Sequence, residues 1–395
     1  MGKPLLGASL QANFTCEMGT TWTYTPTSVL PWTGNIHGAY MANLIPGAQY
    51  EYYVGDPYLL DFSNTTTFLC PDFQNPDKDI FVALGGDMGT IQLFGYKVAE
   101  QMHHDYRQQK ANGQRAFDAF WLIGDIAYST LDPPKWNFEF FWDMFFRQEQ
   151  SLAQHIPMLA SFGNHDFSGG HAGAYVNRFR LPDRNIPGGG LTGLGNFYWS
   201  YEHGPVKYIS ICTEIGLEPH LCNYAPGSAQ YRWLTSQLQT VNRSRTPWVI
   251  VAGHRPMYSS DKATDSGPLQ RYLESLLLQF NVDVELAGHM HCTELSAPVA
   301  NNVANMTGVQ QNSPSSWTYT NPGAPVHITA GTLGALIRES FHSPAPSWSM
   351  FRNGTFWDNA YGYVTMHGTR SQLKFTFLKT SPAGEVMWDV TVRKE

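Results

Sequence analysis

The sequence predicts an α/β protein with a buried sheet, and three observations carry that prediction. From about residue 80 to residue 287, apolar runs of strand length alternate with helix-length amphipathic stretches, the pattern of layered α/β chains. Those runs are apolar along most of their length, as strands covered on both faces are. Hydrophobic residues make up 42% of the chain and charged residues 14%, so the apolar surface suffices to offset the entropy of ordering it. With 395 residues the chain exceeds the roughly 250–300 at which single cores stop growing, so a second, smaller domain is expected.

Taken in order, Trp22 to about Asp72 is β, because short alternating segments are broken by Pro, Gly and Asn too often for helices. It is too short for a whole seven-stranded sandwich, which takes about 100 residues. Pro71 to Asp79 reads as the linker. Strands are then expected at Ile80–Leu84, Phe120–Ile123, Met158–Phe162, Val206–Cys212, Trp248–Ala252 and Asp283–Ala287, and helices at Phe94–Lys110, Phe138–Gln154, Ala229–Val241 and Pro268–Phe280. The Gly-, Pro- and Asn-rich stretches Phe167–Asn196 and Val299–Pro325 read as loops of functional length. The end is β again, with alternating runs at Tyr361–His367, Leu373–Leu378 and Val386–Val392.

The net charge of -7 argues against a nucleic acid or an anionic membrane as partner, and no apolar run reaches the roughly 20 residues that span a bilayer. No signal-peptide pattern opens the chain, yet Asn13, Asn64, Asn242, Asn305 and Asn353 head Asn-x-Ser/Thr sequons. Together with Cys212 and Cys222, spaced for a local disulfide, they favour the secretory or vacuolar-lysosomal route, with the leader removed or missing. Of the remaining cysteines, Cys16 is expected to pair with Cys70, leaving Cys292 free.

Five polar clusters share one position. Asp87, Asp125, Asn164, His254 and His289 each follow an apolar run and a Gly. One Gly-Asp after a strand is most often a turn. Five strand ends in succession are harder to explain so, because the carboxyl ends of strands in an α/β sheet face one crevice. With His291 one residue beyond Met290, the set offers carboxylates, an amide oxygen and imidazoles, which suit a pair of hard and borderline metal ions. Tyr128, three residues after Asp125, becomes a ligand candidate through its neighbours. His103-His104 reads as a solvated helix face, and His171 lies in a loop able to reach the site.

Asp87-Met88-Gly89, Gly124-Asp125-Ile126-Ala127-Tyr128, Gly163-Asn164-His165-Asp166, Val251-Ala252-Gly253-His254 and Gly288-His289-Met290-His291 resemble, in order, the five metal motifs of the purple acid phosphatases, within the calcineurin-like metallophosphoesterases. Gly227-Ser228-Ala229-Gln230-Tyr231-Arg232-Trp233-Leu234 and His254-Arg255-Pro256-Met257-Tyr258 extend the resemblance. It implies a layered α/β/β/α core, two packed mixed sheets flanked by helices, over residues 76–395. Residues 1–75 resemble the later part of a small, truncated fibronectin-III-like β domain.

The resemblance further implies that Asp87, Tyr128 and His291 hold Fe(III), that Asn164, His254 and His289 hold a divalent ion (Fe, Zn or Mn), and that Asp125 bridges them. The implied activity is an acid phosphatase cleaving phosphate monoesters of small substrates with a metal-activated hydroxide; the alternative is a phosphodiesterase or nucleotide pyrophosphatase. Other enzymes of this core carry Asp-x-His in the first motif, whereas Gly89 stands there in this chain. His165 either protonates the leaving oxygen or supports a ligand, with Asp166 orienting it. Two features depart from the family's pattern: Ser259 to Thr264 holds no His pair of the kind common in plant members, and Cys292-Thr293-Glu294-Leu295 stands where an aromatic-Glu-Arg run is frequent. The oligomeric state stays open, a homodimer included.

Overall fold

The computed structural model describes residues 15–395 apart from 27, 91–93, 132–135, 168–171, 183–195, 218, 221, 338 and 355–359. Among the described residues, two mixed sheets form the core. The first has eight strands in the order Met158–Ser161, Ala119–Ile123, Ile80–Gly85, Gly362–Gly368, Gln372–Thr380, Ala383–Arg393, Ser316–Thr320 and Val309–Ser313. The second has seven: Trp199–His203, Val206–Ser210, Trp248–Ala252, Val284–Ala287, Val326–Ala330, Thr293–Ser296 and Ser349–Asn353. In each sheet the strands that lead into the polar clusters are mutually parallel, so their carboxyl ends lie on one side.

The period-2 alternation of strands explains the layering. In Trp248–Ala252, residues Trp248, Ile250 and Ala252 join the cluster between the sheets, while Val249 and Val251 join a second cluster on the outer face. There they meet Leu234 and Leu238 of helix Ala229–Gln239, and Leu269, Leu273 and Leu276 of the helical run Gly267–Gln279. Between the sheets, Trp121 packs against Tyr208 with ring centroids 4.0 Å apart, and Trp388 donates to Thr293 Oγ1 at 2.8 Å. Helices α1 (Gly95–Ala111) and α2 (Phe140–Ala153) flank the first sheet. At Gly227-Ser228 the sequence starts the helix Ala229–Gln239 by side-chain capping, Ser228 Oγ accepting from the Tyr231 N–H at 3.2 Å.

Several expectations require correction. Val299–Pro325 is not a loop, since it carries Val309–Ser313 and Ser316–Thr320, which extend the first sheet. Its outer strand is polar and edge-facing, which hid the alternation, although Trp317 and Tyr319 are buried. The loop after His165 holds a short helix α3, Gly173–Arg178. The expected helix at 268–280 is interrupted by a π-wound turn at Gln270–Glu274. His103 is buried rather than solvated, and pins α1 to α2 through Ser151 Oγ at 2.5 Å and Glu149 at 3.6 Å. Cys212 and Cys222 form the disulfide, but Cys16 and Cys70 do not pair. Cys16 is exposed, whereas Cys70 is buried with its thiol toward the Pro71 carbonyl at 3.9 Å. Cys292 is free and buried.

Before Pro71 the described residues form three separate antiparallel pairs, Thr20–Trp22 with Ile36–Gly38, Gln49–Tyr52 with Thr66–Leu69, and Gly55–Asp56 with Asp61–Phe62. Asn64 and Asn242 are exposed, Asn305 and Asn353 half-buried, and Asn13 and His171 lie outside the described residues. No helix of the described residues is long and apolar enough to cross a membrane.

Candidate metal centre

Backbone conformation assembles the site before any side chain does. Asp87 (φ 62°), Asp125 (φ 50°), Tyr128 (φ 48°) and His289 (φ 67°) all occupy the left-handed region. Elsewhere among the described residues the non-glycine members of that region are Asn, apart from Leu60. Such conformations cost roughly 1–3 kcal/mol each and cluster where a side chain must be aimed. Glycines then let the loops close on one another. A Cβ on Gly163 would stand 2.3 Å from Asp125 N and Oδ1, and one on Gly288 would stand 2.6 Å from Asp87 Oδ2. This is why each polar residue follows a Gly.

All seven predicted metal-site residues meet at the carboxyl ends of strands from both sheets, in two groups. Tyr128 Oη lies 3.1 Å from Asp87 Oδ1 and 2.9 Å from His291 Nε2, which is itself 3.5 Å from Asp87 Oδ1. On the other side His254 Nε2 lies 3.2 Å from both Asn164 Oδ1 and Asp125 Oδ2. His289 joins this second group, ligand-type atoms of Asp125, His254 and His289 lying within 4.8 Å of one another. Asp87 Oδ1, 3.9 Å from His254 Nε2, connects the two.

The electrostatics call for a cation. Asp87 and Asp125 are fully buried, and among the described residues Asp125 Oδ2 has no hydrogen-bond partner beyond the His254 ring nitrogen 3.2 Å away. An unsatisfied buried carboxylate oxygen costs several kcal/mol unless positive charge compensates it. Burial pushes the Asp125 carboxyl up, but His254 and His165 outweigh it and hold it well below the usual range. Burial likewise disfavours charge on His254, yet Asp125 and Asp87 lift its basicity well above that of a free imidazole. Burial, with Asp87 and Asp125, drives the Tyr128 phenol far up, so it ionises only beside added positive charge. The donor set and its unmet charge thus fit metal ions of the hard and borderline classes.

Surrounding groups fix these side chains. His254 Nδ1 donates to Ile123 O at 2.9 Å and His291 Nδ1 to Leu336 O at 3.0 Å, which leaves each Nε2 facing the carboxylates. The oxygens of Asp166 accept from the backbone N–H of Asp125 (3.0 Å), Ile126 (2.9 Å) and Gly163 (2.9 Å), tying two loops together. His165 stacks on the Tyr128 ring at 4.5 Å, and its own N–H donates to Asp125 Oδ1 at 2.7 Å. Sequence reasoning missed three residues. Glu339 accepts from the His291 N–H at 2.7 Å, and Arg255 bridges Glu214 and His289. Only Arg255, next to His254 in a recognised stretch, carried any signal.

Residues 82–293 match the family described as calcineurin-like phosphoesterase, and residues 324–387 that described as iron/zinc purple acid phosphatase-like protein C. Acid phosphatase type 7 of Mus musculus is 30% identical over 348 residues, 84% of this chain and 70% of that protein. Probable inactive purple acid phosphatase 9 of Arabidopsis thaliana is 27% identical over 383 residues, 86% of this chain, which thus spans 54% of that relative's length. A purple acid phosphatase from yellow lupin seeds shares the fold, with a TM-score of 0.79 at 21% identity over 98% of this chain and 68% of the other. With an ion-demanding site at the strand ends and both family regions in place, the chain belongs to the purple acid phosphatases, within the calcineurin-like phosphoesterases.

Proposed function

We propose that the protein is a metal-dependent acid phosphatase that hydrolyses monoesters of small phosphorylated substrates at a binuclear centre. Asp87, Tyr128 and His291 would hold Fe(III), and Asn164, His254 and His289 a divalent Fe, Zn or Mn, with Asp125 between them. The observation that carries this reading is the division of seven side chains into two groups joined by Asp87 and Asp125. When bound, the ions supply Lewis acidity and an acidified water for attack on phosphorus. The protein's own groups do the rest. The glycine-flanked loops fix the ligands, and His165, half-buried and braced on Tyr128, donates a proton to the leaving oxygen.

Two relatives from Arabidopsis thaliana are described as probably inactive, so activity is the property to test. This chain keeps every candidate ligand. Residues 1–75 are read as a partial fibronectin-III-like module and 76–395 as the catalytic domain. The Cys212–Cys222 disulfide and the exposed sequons at Asn64 and Asn242 support a secreted or lumenal glycoprotein. The test is metal analysis and a visible spectrum of protein from its native source, with turnover of an aryl phosphate against a bis-aryl diester and a nucleotide pyrophosphate. Iron, a tyrosinate band and preferred monoester cleavage are expected. Preferred diester or pyrophosphate cleavage would transfer the assignment to that activity, and absence of iron, colour and turnover together would end it.

A further inference from the structure

One hydrogen bond at the centre competes with the role given to His289. Arg255 Nη1 lies 2.7 Å from His289 Nε2, and a guanidinium can only donate, so Nε2 accepts. A neutral imidazole has one free lone pair, and here Arg255 takes it. His254 and His291 are arranged oppositely, since a carbonyl holds each Nδ1 proton and Nε2 faces other members of the site, Asn164 and Asp125 for His254 and Tyr128 for His291, rather than a guanidinium. His289 cannot serve both Arg255 and an ion. Ligation through Nε2 displaces the guanidinium, and ligation through Nδ1 moves the ring proton to Nε2, where it faces a donor. In either case Arg255 must release the ring.

Contacts other than the ring also hold the guanidinium. Its Nε lies 3.1 and 2.9 Å from the two oxygens of Glu214 and its Nη2 2.9 Å from Oε2, while the Glu214 side chain is 1% exposed. Thr213 Oγ1 accepts from the Arg255 N–H at 2.9 Å and donates to Glu214 Oε1 at 3.2 Å. Thr213 and Glu214 follow Cys212, whose N–H and carbonyl are both bonded by the Gln230 amide, at 2.7 and 2.9 Å, and whose sulfur is bonded to Cys222. This mounting holds a positive charge beside the second ligand group.

We propose that Arg255 is a latch on the divalent side of the centre. It occupies His289 in metal-free protein; on loading it stays on Glu214, with Nη1 turned from the ring to an oxygen of the substrate's phosphoryl group. The proposal rests on His289 being a ligand, as put forward above. It makes the second metal weaker and the anion tighter than the ligands alone would.

The test uses chelator-stripped full-length protein titrated with Zn2+ by calorimetry, for wild type, Arg255→Met and Arg255→Met/Glu214→Gln. The double variant removes the buried carboxylate that the single one leaves unpaired, and so keeps the test open if the single variant folds poorly. Loss of a charged hydrogen bond predicts Zn2+ binding tighter by roughly tenfold or more. In loaded protein, inorganic phosphate should bind about tenfold more weakly, read by equilibrium dialysis. Unchanged or weaker Zn2+ binding in variants with wild-type circular dichroism overturns the latch. Tighter Zn2+ with unchanged phosphate overturns the anion contact. A wild type that takes up no divalent ion overturns the centre itself, an outcome distinct from either.

Discussion

Asp125 Oδ2 is buried beside the His254 ring nitrogen at 3.2 Å, and the two groups of candidate ligands on either side of it make different demands. His291 sits with Tyr128, so His291→Ala should abolish the tyrosinate band, whereas His254→Ala should lose activity with the colour partly retained. Activity should fall by more than about 100-fold in both, since even outer partners of a metal ligand are worth roughly 10–100-fold. Absorption and metal content measured on the same samples would separate them. Asp166→Asn should cost about 10–100-fold in metal affinity by the same reasoning, because Asp166 binds three backbone N–H groups of the ligand loops. The side chains at the strand ends were legible because a Gly and an apolar run mark each one. Glu214 and Glu339 were not, since a long polar side chain reaching across from another loop leaves no periodic or local trace, and Arg255 was marked only by its place beside His254.

At the level of elements, helix α3 is tied to the amino-terminal segment and to α2. Arg178 pairs with Glu139 at 3.1 Å and with Asp143 at 2.8 Å, lies 4.9 Å from the Trp32 ring centroid, and is joined by Tyr24, which also bonds Glu139. With Glu139 at 1% exposure, Arg178→Ala would take the charge partner from a buried carboxylate and should cost roughly 3–5 kcal/mol in chemical denaturation. A cost below about 1 kcal/mol would mean that the pair is effectively solvated. Gly163→Ala should leave far-UV circular dichroism intact and abolish metal uptake, because its Cβ would stand 2.3 Å from Asp125. Strands such as Trp248–Ala252 were legible to the residue, as a continuous apolar run bounded by Pro and Gly has one reading. The hairpin at 309–320 was not, for its outer strand trades apolar signal for the polar surface of a sheet edge. The π turn at Gln270–Glu274 lies in a run that reads as ordinary helix.

For the molecule as a whole, the acid range presents a conflict. His203 is buried against Phe73 at 4.8 Å, and burial, with a smaller push from Arg115, lowers its basicity from 6.5 to about 3. Between those values the unfolded chain binds a proton that the folded one refuses, so stability rises with pH there and is lost as pH falls. At about 1.4 kcal/mol per unit the loss reaches roughly 4 kcal/mol across the window. His203→Phe should flatten it, as urea titrations at pH 7, 5 and 4 would show. Parallel loss in variant and wild type would place the acid sensitivity elsewhere.

The pairing of Ile80–Gly85 with Gly362–Gly368 has a consequence for biosynthesis. The strand that delivers Asp87 is made early, but its partner on that edge emerges from the ribosome only after nearly all other strands of both sheets. Until then an apolar edge stands open, and contacts of such long sequence separation are slow to form and prone to mispairing. If the site takes up metal as proposed, loading is expected to follow synthesis of residues 362–368. Chains released before that point would meet one another, or a chaperone, along the open side of Ile80–Gly85.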